Sequence, residues 1–104
     1  MGPKAQELVS VLEELIGLLD GAGQQGWSAW MRQAKRWILQ EDFSGVEKVI
    51  QAYGGMGSLN DLVLGGEGVD GRIVFDKEVR RLNERFQALI SKAWKLASEI
   101  SHDQ

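Results

Sequence analysis

One histidine and no cysteine stand among the 104 residues, so little nitrogen or sulfur chemistry is open to this chain. His102 falls in the polar tail Ser101-His102-Asp103-Gln104, where chain ends fray, and a general base needs a partner that holds it in place. Without a second histidine or a thiolate, a transition-metal site has too few ligands, and a serine-histidine-aspartate triad fails for the same reason. Carboxylates remain. Glu41, Asp42, Glu47, Asp61 and Asp70 could hold magnesium or calcium, or work as an acid and base pair. Their spacing follows no EF-hand loop, and helix capping or solvation accounts for each of them. The residue types therefore predict no catalytic residue, no metal and no cofactor.

The distinctive stretch is Tyr53-Gly54-Gly55-Met56-Gly57-Ser58-Leu59-Asn60-Asp61-Leu62. Glycines let backbone amides converge on an anion, which invites a phosphate-loop reading. The segment lacks the Gly-Lys-Ser/Thr ending that a nucleotide loop uses for phosphate and magnesium. The alternative is structural: Gly54 and Gly55 cap a helix, Gly57 permits a close approach, and Asn60 and Asp61 bond to the local backbone. Tyr53, Gly54, Gly55, Met56, Gly57, Ser58, Asn60 and Asp61 are accordingly the candidate binding residues, with Asp61 the most informative to mutate.

Charge is mild overall, at -3, but unevenly spread. Residues 27 to 40 carry Arg32, Lys35 and Arg36 with no acid, whereas residues 41 to 78 carry eight acids against three bases. Such asymmetry bears on the steering of partners more than on fold. Arg80, Arg81, Arg85, Lys92 and Lys95 lend the last segment a basic character, yet the chain is acidic and has no nucleic-acid reading motif. No stretch approaches the ~20 apolar residues that cross a bilayer. The start, Met1-Gly2-Pro3-Lys4-Ala5-Gln6, has no long apolar core, and its sixth residue is Gln where a myristoylation motif wants Ser or Thr. A soluble, cytoplasmic protein with no nucleic-acid or membrane partner is expected.

A chain of this length suits one domain spanning 1–104. Leu8, Val11, Leu12, Leu15, Ile16 and Leu19 recur at helical spacing, predicting a first helix over Ala5 to Leu19 that stops at Gly21-Ala22-Gly23. Trp27, Trp30, Met31, Ala34, Trp37 and Ile38 share a face of a second helix, which the three tryptophans make the expected centre of the core. Asp42 or Ser44 can cap a short third helix along which Phe43, Val46, Val49, Ile50 and Tyr53 keep the helical period, and Ser44 to Glu47 has capping-box spacing. Ser58 to Asp61 repeats that spacing with Asp in place of Glu, suggesting one helical turn. Leu62-Val63-Leu64 and Ile73-Val74-Phe75 are β-prone triplets that could pair as a short ribbon across the glycine-rich loop. From a cap at Asp76, Val79, Leu82, Phe86, Leu89, Ala93, Leu96 and Ile100 form a heptad seam that Ile90, Trp94 and Ala97 widen. The pattern predicts an all-α fold: a small four-helix bundle whose long last helix packs across the first two.

The string Tyr53 to Leu64, following a Trp-rich helix and a short acid-started one, resembles the signature of a family of small uncharacterised bacterial proteins, domains of unknown function. Ala93-Trp94-Lys95-Leu96-Ala97 fits that family's last helix. The resemblance implies no activity. Small acidic helical proteins without catalytic residues often act on other proteins, including immunity proteins that plug a toxin's active site. A non-catalytic protein-interaction module is the leading expectation, an immunity-type inhibitor its most concrete form, presenting carboxylates from 41 to 78 to a basic cleft. A small-ligand protein or enzyme using Ser58, Asn60 and Asp61, and a homodimer built on the last helix, are the alternatives.

Overall fold

The computed structural model describes residues 2–54, 58–64 and 77–103. Among these residues four helices form: α1 (Pro3–Gly21), α2 (Gln25–Leu39), α3 (Ser44–Gln51) and α4 (Lys77–His102). A 3₁₀ turn, Leu59–Asp61, lies between α3 and α4. No strand occurs among the described residues, and the all-α class stands. Residues 65–76, on which the second β-prone triplet and the Asp76 cap fall, lie outside the described residues.

Pro3 starts α1, where its missing N–H leaves nothing unbonded and its fixed φ favours the helix. Just past the helix end, Gly23 at φ +75° reverses the chain. There the amide of Gln24 donates to Leu19 O at 2.8 Å and that of Gly23 to Asp20 O at 3.1 Å, the paired bonds of a Schellman cap. α2 ends in the same pattern, with Asp42 N bonded to Trp37 O at 2.8 Å and Glu41 N to Ile38 O at 2.9 Å. The left-handed position, however, is filled by Glu41 at φ +60°, where glycine is the usual choice. The Asp42 carboxylate accepts the amide of Ser44 at 2.9 Å, whereas the Ser44 hydroxyl makes no cap bond.

α1 packs on both α2 and α4, and α3 on α2 and α4, so the helices close a ring. The long helix thus lies across α1 and α3, a correction to its expected place across the first two. Leu8, Leu12, Leu15 and Leu19 of α1 meet Met31 and Ala34 of α2, Val49 of α3, and Phe86 and Ala93 of α4 in one fully buried core.

The tryptophans are not its centre. The buried positions of α2 are Ser28, Met31, Ala34 and Ile38, while Trp27, Trp30 and Trp37 are half-buried along the flank. An indole is too large to be enclosed in a gap this narrow. α3 instead approaches α2 through Gly45, and a Cβ there would stand 2.5 Å from Ala34 O. Trp30 roofs this contact, its indole donating to Lys48 O at 2.9 Å.

The solvent side of α1 is stitched to its neighbours by ion pairs. Lys35 meets Glu13 at 3.8 Å and Arg32 meets Asp20 from α2, while Arg85 meets Glu14 at 2.8 Å and Lys92 meets Glu7 at 3.1 Å from α4. Much of the basic character of α2 and α4 is thereby matched by acids of α1, each exposed pair contributing under about 1 kcal/mol.

Candidate functional site

Tyr53 is the residue from which the site grows. It follows α3, half-buried, and its hydroxyl donates to the carbonyl of Ile90 on α4 at 2.7 Å. Its ring meets that of Trp94 at 5.2 Å between centroids, tilted by 56°. Tyr53 therefore ties the end of α3 to the middle of α4. Gly54, at φ +87°, then turns the chain away, as the sequence led one to expect of a helix terminus.

The chain returns through the 3₁₀ turn. Leu59 is fully buried, and its amide donates to Ala52 O at 2.8 Å, satisfying a carbonyl at the end of α3. The Ser58 hydroxyl donates to the side-chain oxygen of Asn60, an interaction within the loop in place of the expected helix cap. Leu64, also fully buried, is gripped by Asn83 of α4: its amide donates to Asn83 Oδ1 at 2.7 Å, and Asn83 Nδ2 donates to Leu64 O at 2.8 Å. The same Nδ2 donates to Val79 O at 2.9 Å. One side chain thus completes the hydrogen bonding of a buried backbone unit that has no strand beside it among the described residues.

Asn83→Ala is expected to cost about 2 kcal/mol, since it leaves a buried amide and carbonyl unpaired. Urea unfolding gives the loss, and faster exchange of the Leu64 amide than of the α1 core amides would place it in the loop.

Between the returning segment and α4 runs an open groove of about 410 Å³, lined by Tyr53, Gly54, Asn60, Gln87, Ile90, Ser91 and Trp94. Of the candidate residues, Tyr53, Gly54 and Asn60 come together here. Ser58 reaches the groove only through its bond to Asn60, and Asp61 is exposed beyond the lining set. Gly55, Met56 and Gly57 lie outside the described residues. Sequence reasoning missed Asn83, Gln87 and Ser91; what marked them was only their place on the polar side of an amphipathic helix. Trp94 was legible as part of a wide stripe but is 45% exposed, the only tryptophan among the large exposed hydrophobic residues described.

None of the described lining groups is charged. Burial pushes the Tyr53 phenol well above the ordinary tyrosine range, so it stays protonated and engaged with Ile90 O. Because the folded state holds the proton more tightly than the unfolded chain, this contribution is intact below the unfolded value near pH 10. It falls by up to about 1.4 kcal/mol per pH unit above that. Tyr53→Phe should be less stable by about 1 kcal/mol at neutral pH, through the lost hydrogen bond. Its deficit should narrow above about pH 10, as denaturant titrations of both proteins would show.

Other polar clusters are internally satisfied. Lys48 Nζ sits 4.0 Å from the centre of the Trp30 ring and 5.7 Å from that of Trp37, so a cation already covers these faces. The crevice between α1 and α4 is crossed by Lys4 to Glu99 at 3.4 Å and Lys92 to Glu7. Ser28, buried in the core, donates to Asp20, which also pairs with Arg32; the hydroxyl first and the guanidinium second hold that carboxyl below its usual range. Glu41 and Asp42 line a smaller hollow of about 200 Å³ with Ala5 and Ile100, at the end of the bundle where α1 starts and α4 finishes. Among the described residues no group of three or more histidines or carboxylates could hold a metal ion, and no helix is long and apolar enough to cross a membrane.

A family model described as a domain of unknown function, DUF6966, matches residues 20–72, from the last turn of α1 through the glycine segment. No curated protein and no solved structure matches the chain.

Proposed function

Because the chain belongs to the DUF6966 family of domains of unknown function, we propose from its geometry that it is a non-catalytic protein-interaction module whose partner seats in the Tyr53 to Trp94 groove. The observation that carries this reading is Trp94: a large ring left 45% exposed, fixed at its edge by Tyr53, and flanked by the neutral hydrogen-bonding side chains Asn60, Gln87 and Ser91. Tryptophan and tyrosine lose little entropy on binding and dominate the energetics of interfaces. The described lining groups recognise; none is placed to move a proton.

Inhibition of a toxin through carboxylates is the narrower form of this proposal. It would need the acids of residues 41 to 78 to act together, and among the described ones Glu41 and Asp42 lie by Ile100, whereas Asp61 follows Asn60 beside the groove. We therefore place the contact on the aromatic groove, with Asp61 at its rim. A homodimer on α4 could draw on Trp94 and on the half-buried Val79, Leu82 and Ile100, since Phe86, Leu89, Ala93 and Leu96 of the seam are already buried in the bundle.

The test is affinity capture from source cells with the native chain, Trp94→Lys and Leu39→Lys in parallel. Leu39 is a 50% exposed apolar residue outside the groove and serves as control. A stoichiometric partner held by native and Leu39→Lys chains and lost by folded Trp94→Lys supports the proposal; equal retention by all three contradicts it.

A further inference from the structure

The outer ridge of α4 is a second surface, beside the groove. The buried seam of this helix runs through Phe86, Leu89, Ala93 and Leu96. On the opposite side Arg81, Glu84, Ala88, Ser91 and Lys95 follow at alternating spacings of three and four residues, and all five are exposed. A stripe with that spacing keeps to one side of a helix and can face a second helix along its length. We propose that two copies of the chain associate through this ridge, antiparallel about a two-fold axis. The inference goes beyond the groove reading, since both the surface and the partner differ.

Charge selects the occupant and its direction. Between residues 82 and 98 the charged side chains of α4 are Glu84, Arg85, Lys92 and Lys95. Arg85 and Lys92 are paired to Glu14 and Glu7 of α1. Glu84 and Lys95 have no ion-pair partner among the described residues, and both lie on the outer stripe. The two ends of the helix differ in sign: Lys77, Arg80 and Arg81 outweigh Glu78 at the start, whereas Glu99 and Asp103 at the finish share one cation, Lys4. Signs along the face therefore run positive, negative, positive, negative. A parallel copy in register would set like against like at every step. Reversal exchanges each sign for its opposite, so an antiparallel copy is matched at all four.

The positions agree on one axis. Glu84 and Lys95 are equidistant from a point midway between residues 89 and 90, so copies crossing there bring each against its opposite in the other chain. The same centre sets Arg80 level with Glu99 and Ala88 level with Ser91. Ala88 and Ser91 are small, which lets the helices come close where the charges on either side must meet. A two-fold contact occurs twice, so the Glu84 to Lys95 pair flanks the axis on both sides. From Arg81 to Ser98 the ridge is ~26 Å long at ~1.5 Å per residue. One helix pair of that length lies at the small end of specific interfaces, so the dimer is weak and forms only as concentration rises.

The test is sedimentation equilibrium of the full chain, Glu84→Lys and Lys95→Glu, at ~0.05 M salt and up to ~1 mM protein. The parent should dimerise reversibly, and less so at ~0.5 M salt, where the exposed charges are screened. Each substitution sets two like-charged pairs beside the axis and should weaken dimerisation at least tenfold. Both sites are exposed, so circular dichroism should show the same helix content in all three chains. Mixed in equal amounts, the two variants should associate as tightly as the parent, because each supplies the charge that the other now lacks. A parent that stays monomeric at ~1 mM overturns the inference. So does a dimer that neither substitution weakens, or a mixture that associates no better than its components.

Discussion

Gly45→Ala is expected to destabilise the protein by about 2 to 3 kcal/mol, lowering Tm by about 10 to 20 °C. The added Cβ would meet Ala34 O at 2.5 Å, Ile38 Cγ1 at 2.7 Å and Ile38 N at 2.8 Å. The Ile38 side chain could rotate away, but two of the three atoms are backbone, so α3 as a whole must move off α2. That motion would disturb the Trp30 to Lys48 bond and the seating of Val46 and Val49 in the core. Gly17→Ala provides the opposite sign. Gly17 lies inside α1 with nothing within 4 Å of the place its methyl would take, so alanine should gain about 0.5 to 1 kcal/mol through helix propensity. Thermal unfolding of the two variants followed by circular dichroism checks both. A Gly45→Ala protein as stable as the parent would mean that the two helices do not approach so closely.

Trp94 is where the largest functional effect is expected. Trp94→Ala should weaken partner binding by about 2 kcal/mol or more, roughly thirtyfold, because truncation removes both the anchoring ring and the edge against which Tyr53 rests. Stability should change by less than about 1 kcal/mol, since the ring is already 45% exposed and the core residues around it, Ile90, Ala93 and Ala97, are untouched. Calorimetric titration of the purified partner into both proteins gives the first number, and urea unfolding the second. The separation of the two effects is what distinguishes a binding residue from a packing one.

Helical periodicity made the bundle legible, since Leu8, Leu12, Leu15 and Leu19, and Phe86, Leu89, Ala93 and Leu96, are all buried at the spacing the sequence displays. Periodicity could not say which helices pair, and α4 lies on α3 where the first two helices had seemed the obvious platform. The tryptophans misled because residue type signals how much surface can be buried, while Gly45 decides how much room there is. The end of α2 was visible only as a break in pattern, because Glu41 occupies a backbone position that glycine normally advertises. At the candidate site, Tyr53, Gly54 and Asn60 of the glycine segment come together in the lining of one groove. Its opposite wall was hidden: Asn83, Gln87 and Ser91 read as solvated helix surface until tertiary packing sets them against a loop from earlier in the chain.

The groove as partner-binding surface is tested most directly by hydrogen exchange of the purified chain with and without its captured partner. Protection confined to Tyr53 and Gly54, the turn around Asn60, and α4 from Gln87 to Trp94 is the predicted result. Protection centred instead on Glu41 to Phe43 and the start of α1, with the groove unchanged, would contradict it.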